Sequence, residues 1–361
     1  LHPSRAVPHH ERVIRHPAGS AKGVTAVSRL VLACLLALPV FTTTCSLIFT
    51  TAFLVEFLDP GRGRPLSALT RPPGARPLTA VTAAGPVAID LYVASALRRP
   101  PGLVLVHGLS PAGKDEARLR EAAVLLARSG WAVAVPTVDG LTVLRLRPDD
   151  AAAVSASVRA LRAAGYPRAA VLGVSLGAGP ALLAAADPAV AGSVSAVLAL
   201  GGYARAVELL RYTLTGAYAL GDLSGRAPVQ EAAIAQFARA NAELVDAEGA
   251  RLVDNRDPAA FDRLVDALPR STRELLDALS PERALAGLRA PLFLIHGRQD
   301  PAVPFTESLR LEAAARAAGR PVRAAIVGAV GHVEAGRRAG DLADLARLWA
   351  TFYAFRRTAG G

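Results

Sequence analysis

The five residues Gly173-Val174-Ser175-Leu176-Gly177 follow the apolar run AAVL and lead into LGAGPALLAAA. The first run reads as a buried strand and the second as a helix, so G-x-S-x-G falls in a strand–turn–helix context. So tight a turn forces the serine into a strained backbone region and lifts its hydroxyl off the sheet. Gly173 and Gly177 leave room for the neighbouring strand and helix. The helix N-terminus below favours developing negative charge. The chemistry this suits is nucleophilic attack on an acyl carbonyl. The alternative is a tight turn that only happens to hold a serine.

With three further places in the same order, His107-Gly108, Gly297-Arg298-Gln299-Asp300 and Gly331-His332, the sequence resembles the α/β-hydrolase superfamily over about residues 77–356. It looks most like the bacterial esterase, peptidase and dienelactone-hydrolase-like members. Dienelactone hydrolases proper use cysteine as the nucleophile, and this chain has Ser175 there, which argues against their particular reaction.

A serine hydroxyl attacks well only when a base takes its proton. Of seven histidines, His2, His9, His10 and His16 precede a long apolar segment, across which they could not reach Ser175 if it spans a bilayer. His107 and His296 each end a strand in a His-Gly pair, a setting that reads as structural. His332 follows the last strand in the Gly-flanked loop VGAVGHVEAG. Elimination and the resemblance both point to His332 as the base; the alternative is an exposed loop histidine. The imidazole needs a carboxylate behind it. Asp300, in PLFLIHGRQDPAVP, stands 32 residues before His332, and Ser, Asp, His is the order of this superfamily. Asp300 could instead be a turn residue, since Asp-Pro favours turns. Asp139, after the strand WAVAVP, is a weaker acid candidate and reads better as a surface-loop residue. The resemblance implies two backbone donors for an oxyanion, the N–H of Leu176 after the nucleophile and that of Leu109 after His107-Gly108.

A competing pattern overlaps this last site. Gly108-Leu-Ser-Pro-Ala-Gly113-Lys114-Asp115 almost spells a P-loop. It fails at Asp115, where a hydroxyl is needed for Mg²⁺ and an acid would face phosphate, and Pro111 removes a backbone donor. Lys114 reads as a solvated loop residue. No H-E-x-x-H or other clustered metal spacing occurs, and the glycines around Ser175 do not fit G-x-G-x-x-G, so neither metal nor cofactor is expected.

The elements that must hold these residues alternate. PLTAVTA and PVAIDLYVA, flanking Ala84-Gly85, predict two antiparallel strands. GLVLVHG is an unbroken apolar strand, 115–129 an amphipathic helix, WAVAVPTV a strand, 149–164 a helix and AAVLGVS a strand. SAVLALGG, PLFLIHG and VRAAIVG are further strands, and 341–355 is a closing helix. This pattern predicts an α/β domain with a mostly parallel, eight-stranded sheet and helices on both faces. Residues 205–285 break the alternation, look helical and are too long for an ordinary crossover, so they predict a helical cap. Leu209, Leu210, Tyr212 and Leu214 could line its pocket, although as one helix face they read more naturally as core.

Composition bounds the rest. The net charge is +11, but nine of 41 Lys/Arg and three of 30 Asp/Glu fall in residues 1–80, so more than half the excess lies there. That suits a membrane-flanking tail better than a nucleic-acid face, and no zinc-finger or RNA-binding motif occurs. Leu30 to Val55 carries no charge and is long enough to cross a bilayer. Cys34 and Cys45, the only cysteines, lie within it and read as small apolar residues. The expected organisation is a basic tail over 1–29, a single-pass anchor over 30–58, a Pro/Arg-rich linker over 59–76 and a hydrolase domain over 77–356. Arginines flank both ends of the anchor, and the slight N-terminal excess places the domain outside the cytoplasm. The expected activity is cleavage of a carboxylic ester or related acyl bond in a small-molecule substrate, through an acyl-enzyme. A non-catalytic binding module, or an acyltransferase using the same three residues, are the alternatives.

Overall fold

The computed structural model describes residues 46–59, 63–94, 100–328, 330–331 and 342–360. Ten strands occur among them. β1 (Gly74–Thr82) and β2 (Gly85–Val93) form a hairpin, followed by β3 (Gly102–Val106), β4 (Ala132–Pro136), β5 (Ala169–Val174) and β6 (Val194–Leu200). A small hairpin, β7 (Ala217–Leu220) and β8 (Leu223–Arg226), precedes β9 (Leu292–Gly297) and β10 (Val322–Val327). The main sheet has eight strands in the order β1-β2-β4-β3-β5-β6-β9-β10. Only the β1–β2 and β2–β4 pairs are antiparallel. From β4 through β10 all neighbours run parallel, so the carboxyl ends of β3, β5, β6, β9 and β10 share one edge. That edge is where a doubly covered sheet presents a site. The expected eight-stranded α/β architecture is present.

The strands β3, β4 and β9 are buried along their whole length, as continuous apolar runs require. Their side chains alternate between two cores. Val104 and Val106 face one, packed against the helices Asp150–Ala163 and Ala178–Ala186. Leu103 and Leu105 face the other, packed against Ala117–Arg128 and Leu342–Gly360.

The N-terminal organisation differs from expectation. Of the segment read as an anchor, residues 46–58 are described, and they form a helix. Phe53 and Leu54 of this helix are buried in the second core, and the Phe53 ring stacks on Phe352 at 4.7 Å. The Trp349 indole donates to Thr51 Oγ1 at 3.0 Å. Residues 46–58 therefore pack against the domain through one face, while Ile48 and Val55 of the same helix stay exposed at 55 % and 46 %. No helix among the described residues is both long and apolar enough to cross a membrane. Residues 30–45, which hold Cys34 and Cys45, lie outside the described residues.

The segment expected as an extended linker is also built into the domain. Pro65–Leu69 is a short helix with Pro65 in its first turn, where a missing N–H costs nothing. Glu56 accepts hydrogen bonds from the amides of Leu66 at 2.9 Å and Ser67 at 3.1 Å, which caps that helix from the preceding one. Leu66 is buried in the second core.

Between β6 and β9 lie five α-helices, Ala206–Thr215, Glu231–Ala240, Ala247–Val253, Pro258–Asp266 and Arg270–Ala278. The β7–β8 hairpin is not foreseen by the helical reading. Its signal is Gly221-Asp222, a two-residue turn with Gly221 at φ +55°. This cap has a core of its own around Leu214, Ile234, Leu252, Phe261 and Leu268. Glu307 ties it to the sheet. Its buried carboxylate accepts from the amides of Ala204 and Arg205, both at 2.9 Å, where the chain leaves β6 for the cap.

Candidate active site

Ser175 is the residue immediately after β5, and it opens a single 3₁₀ turn, Ser175–Gly177, that runs into the helix Ala178–Ala186. Its φ is +53°, a left-handed conformation that costs a non-glycine residue about 1–3 kcal/mol. The surroundings show what holds it there. A Cβ on Gly177 would come within 2.1 Å of the His107 carbonyl oxygen, and one on Gly173 within 2.5 Å of Ala178 Cα. The two glycines let helix, strand and β3 loop close around the turn. On its open side Ser175 meets Gly108, where an added Cβ would lie 3.1 Å from Ser175 Cβ. The loop after β3 and the turn after β5 are thus in contact, and Gly108, Leu109, Ser175 and Leu176 line one cavity.

His107 and His296 are held by the fold. The ring of His107 accepts from the Val138 amide through Nε2 at 3.0 Å, so Nδ1 carries the proton and donates to the Gly108 carbonyl at 2.7 Å. Burial lowers its pKa from 6.5 and keeps it neutral. His296, fully buried, donates from Nε2 to the Val303 carbonyl at 3.0 Å, and its Nδ1 is 2.7 Å from Ser308 Oγ. Both rings spend their nitrogens on loop geometry, as the His-Gly setting suggested.

Asp300 is 4 % exposed and lies just past the end of β9. Its Oδ1 accepts from the amides of Ala302 at 2.8 Å and Val303 at 2.9 Å, and Oδ2 lies 3.5 Å from His296 Nε2. The turn reading of Asp300 is therefore correct for one oxygen. That does not compete with a further role, since the turn fixes the carboxylate at the sheet edge. Asp139 is exposed at the start of the short helix Asp139–Thr142.

His332 lies outside the described residues. Its neighbours Val330 and Gly331 are described. A Cβ on Gly297 would come within 2.0 Å of the Gly331 carbonyl oxygen, so the backbone leading to residue 332 is pressed against the end of β9, three residues before Asp300. Val330 lines the same cavity as Ser175.

Lys114 is no phosphate ligand here. Its ammonium pairs with Asp90 at 3.0 Å and Asp115 at 3.1 Å. Among the described residues no group of three or more His, Cys, Asp or Glu could hold a metal ion.

Two cavities meet at the serine turn. One, of about 430 Å³, lies under the cap and is lined by Leu209, Leu210 and Tyr212. Leu214 is instead buried in the cap core, so the helix face read as core in the sequence divides between the two roles. The other, of about 750 Å³, extends from Ser175 between the sheet and the second layer of helices. Leu109, Leu176 and Ala302 line both. This second cavity, and the place of helix 46–58 in its wall, were not read from the sequence.

Residues 258–355 match the family model described as the prolyl oligopeptidase family. Among solved structures, the uncomplexed acylaminoacyl peptidase of Pyrococcus horikoshii is 17 % identical with a TM-score of 0.54, over 81 % of this chain and 43 % of that one. A puromycin-hydrolyzing peptidase of Mycobacterium tuberculosis is 20 % identical with a TM-score of 0.52, over 81 % and 40 %. Dipeptidyl peptidase 4 of Porphyromonas gingivalis is 13 % identical with a TM-score of 0.51, over 80 % and 36 %. Curated proteins include no match to this sequence. The chain has the α/β-hydrolase fold, and it spans about two fifths of the length of the peptidases it resembles.

Proposed function

We propose that the protein is a serine hydrolase acting on a carboxylic ester or a related acyl bond. Ser175 Oγ attacks the acyl carbon while His332 takes its proton, with Asp300 behind the imidazole. The negative charge on the carbonyl oxygen is held by the amides of Leu109 and Leu176. As the tetrahedral species collapses, His332 returns the proton to the leaving alcohol, and an acyl ester on Ser175 remains. Water, deprotonated by the same imidazole, then releases the acid and restores the serine. The observation that carries this reading is the backbone of Ser175, held at φ +53° at the carboxyl end of a central parallel strand. Strain of that kind persists only where its surroundings enforce it.

A fluorophosphonate probe on the purified full chain tests the proposal. Labelling that disappears in Ser175→Ala supports it. Absence of labelling in the wild type supports a non-catalytic hydrolase-fold module instead. Acyl transfer would use the same residues, and added alcohols that capture the acyl group in preference to water would reveal it. The match to a peptidase family makes an amide the competing scissile bond, and parallel assays of ester and anilide substrates with one acyl group separate the two.

Attachment to a membrane with the domain outside the cytoplasm rests on the uncharged residues 30–45 and the arginines around them. With residues 46–58 engaged in the domain, that run alone would span about 24 Å as a helix, short of the ~30 Å hydrocarbon core. Release of the protein by carbonate washing of membranes would exclude an integral anchor.

A further inference from the structure

The larger cavity is a chamber inside the domain. One wall is the sheet, through Leu105, Leu172, Leu198 and Ile295, whose side chains are buried on one face. The facing wall is made by three helices, Ala117–Arg128, Leu342–Gly360 and residues 46–58, the last through Phe53 and Phe57. Ser175 and Leu176 of the serine turn also line the chamber. A volume of about 750 Å³ is within the range of small-ligand sites.

The chemistry of the walls selects the ligand. Acidic groups do border the space, but two of them are already committed. Glu56 caps Pro65–Leu69, and Glu116 accepts from the amides of Arg118 at 3.1 Å and Leu119 at 2.7 Å at the start of its own helix. Arg118 and Glu121, both exposed, border it as well. None of the buried side-chain atoms that lack a hydrogen bond among the described residues belongs to a residue lining this chamber. Among the described residues, nothing deep in the space calls for a polar partner, and leaving a polar ligand group unpaired there would be unfavourable.

We infer that the substrate carries an alkyl chain, which lies in this chamber with its reacting carbonyl at Ser175, and that helix 46–58 is a wall of that chain-binding site. The inference rests on the serine-hydrolase reading of Ser175 and adds the substrate class to it. An alkyl chain could belong to the acid or to the alcohol of the ester, because either side of the scissile bond can point into the chamber.

Two substrate series on the full chain separate these cases: p-nitrophenyl esters from acetate to tetradecanoate, and alkyl acetates from ethyl to tetradecyl, each below its micelle concentration. One series is expected to gain about fourfold in kcat/KM per added methylene (about 0.8 kcal/mol each) until the chamber is full. The series that responds identifies the side of the bond. Ala122 lines the chamber from the helix Ala117–Arg128. Ala122→Trp is expected to lower the ratio of long-chain to short-chain kcat/KM at least tenfold. A flat response in both series, with short esters still cleaved, overturns the chain site and leaves the hydrolase standing. If no ester is cleaved and no probe labels Ser175, the hydrolase reading falls. The chamber is then tested directly by titrating Ser175→Ala with a dansyl-undecyl alcohol. Saturable fluorescence displaced by dodecanol upholds the site, and its absence removes it.

Discussion

The hydroxyl of Tyr212, on the first cap helix, donates a hydrogen bond to the main-chain carbonyl of Asp300 at 3.0 Å. The cap is thereby fastened to the loop that carries the candidate acid. Burial, reinforced by the nearby Asp300 charge, pushes the phenol up to about 12, so it remains a donor at any working pH. Tyr212→Phe removes one bond and no volume. A bond of this kind contributes about 1 kcal/mol net. The expected result is a loss of about 1 kcal/mol in stability together with a five- to tenfold loss of kcat/KM for an activated ester. An equal loss in stability and no loss in activity would show that the bond serves the cap alone.

Gly108 and Gly177 separate activity from folding. Alanine at 108 places a methyl 3.1 Å from Ser175 Cβ and 3.3 Å from the Val174 carbonyl oxygen, contacts relieved when the nucleophile turn shifts by a few tenths of an ångström. Gly108→Ala should lower kcat tenfold or more and cost about 1 kcal/mol or less in stability. Alanine at 177 meets a backbone carbonyl oxygen at 2.1 Å, and no side chain can give way. Gly177→Ala should therefore cost several kcal/mol, and it is read by urea unfolding.

Much of this was legible in the sequence, and the reason differs from element to element. The strands β3, β4 and β9 are buried on both faces, so each announces itself as an unbroken apolar run. Ser175 was legible because its turn leaves no room for a Cβ at Gly173 or Gly177, two residues to either side. His107 and His296 could be set aside because a histidine ending a buried strand spends its nitrogens on the loop that follows. The packing of residues 46–58 was not legible because the same apolar side chains satisfy a lipid tail and a protein core equally well. The partners that seat them, the ring of Phe352 and the indole of Trp349, lie some 300 residues away in sequence. The hairpin β7–β8 was missed because its strands are four residues each.

Asp150 gives the fold a pH dependence. Its carboxylate accepts from the amides of Gly140 at 3.0 Å and Arg147 at 2.9 Å, and burial pushes its pKa from 3.8 up to about 6. Between those values the folded protein keeps a proton that the unfolded chain has released. This group's contribution therefore weakens as pH rises from about 4 to 6, by up to about 3 kcal/mol. Asp150→Asn should lose that component of the slope in denaturant titrations across the window, at the expense of one amide bond at every pH. An unchanged slope would show that the carboxylate is ionised throughout.

Phe53→Ala tests whether helix 46–58 is integral to the domain. Phe53 is 5 % exposed and stacks on both Phe57 and Phe352. Its truncation should cost about 3–5 kcal/mol. A helix held only by lipid would leave the stability of the purified domain unaltered.

The union of residues 46–58 with Leu342–Gly360 also sets where the protein can be cut. A fragment beginning at the first strand of the sheet would keep Ser175 and Asp300, yet it would strip the partner from Phe352 and open an oily flank to water. Such a piece should clump and bind detergent, and its idle serine would report a missing neighbour, not a missing catalyst.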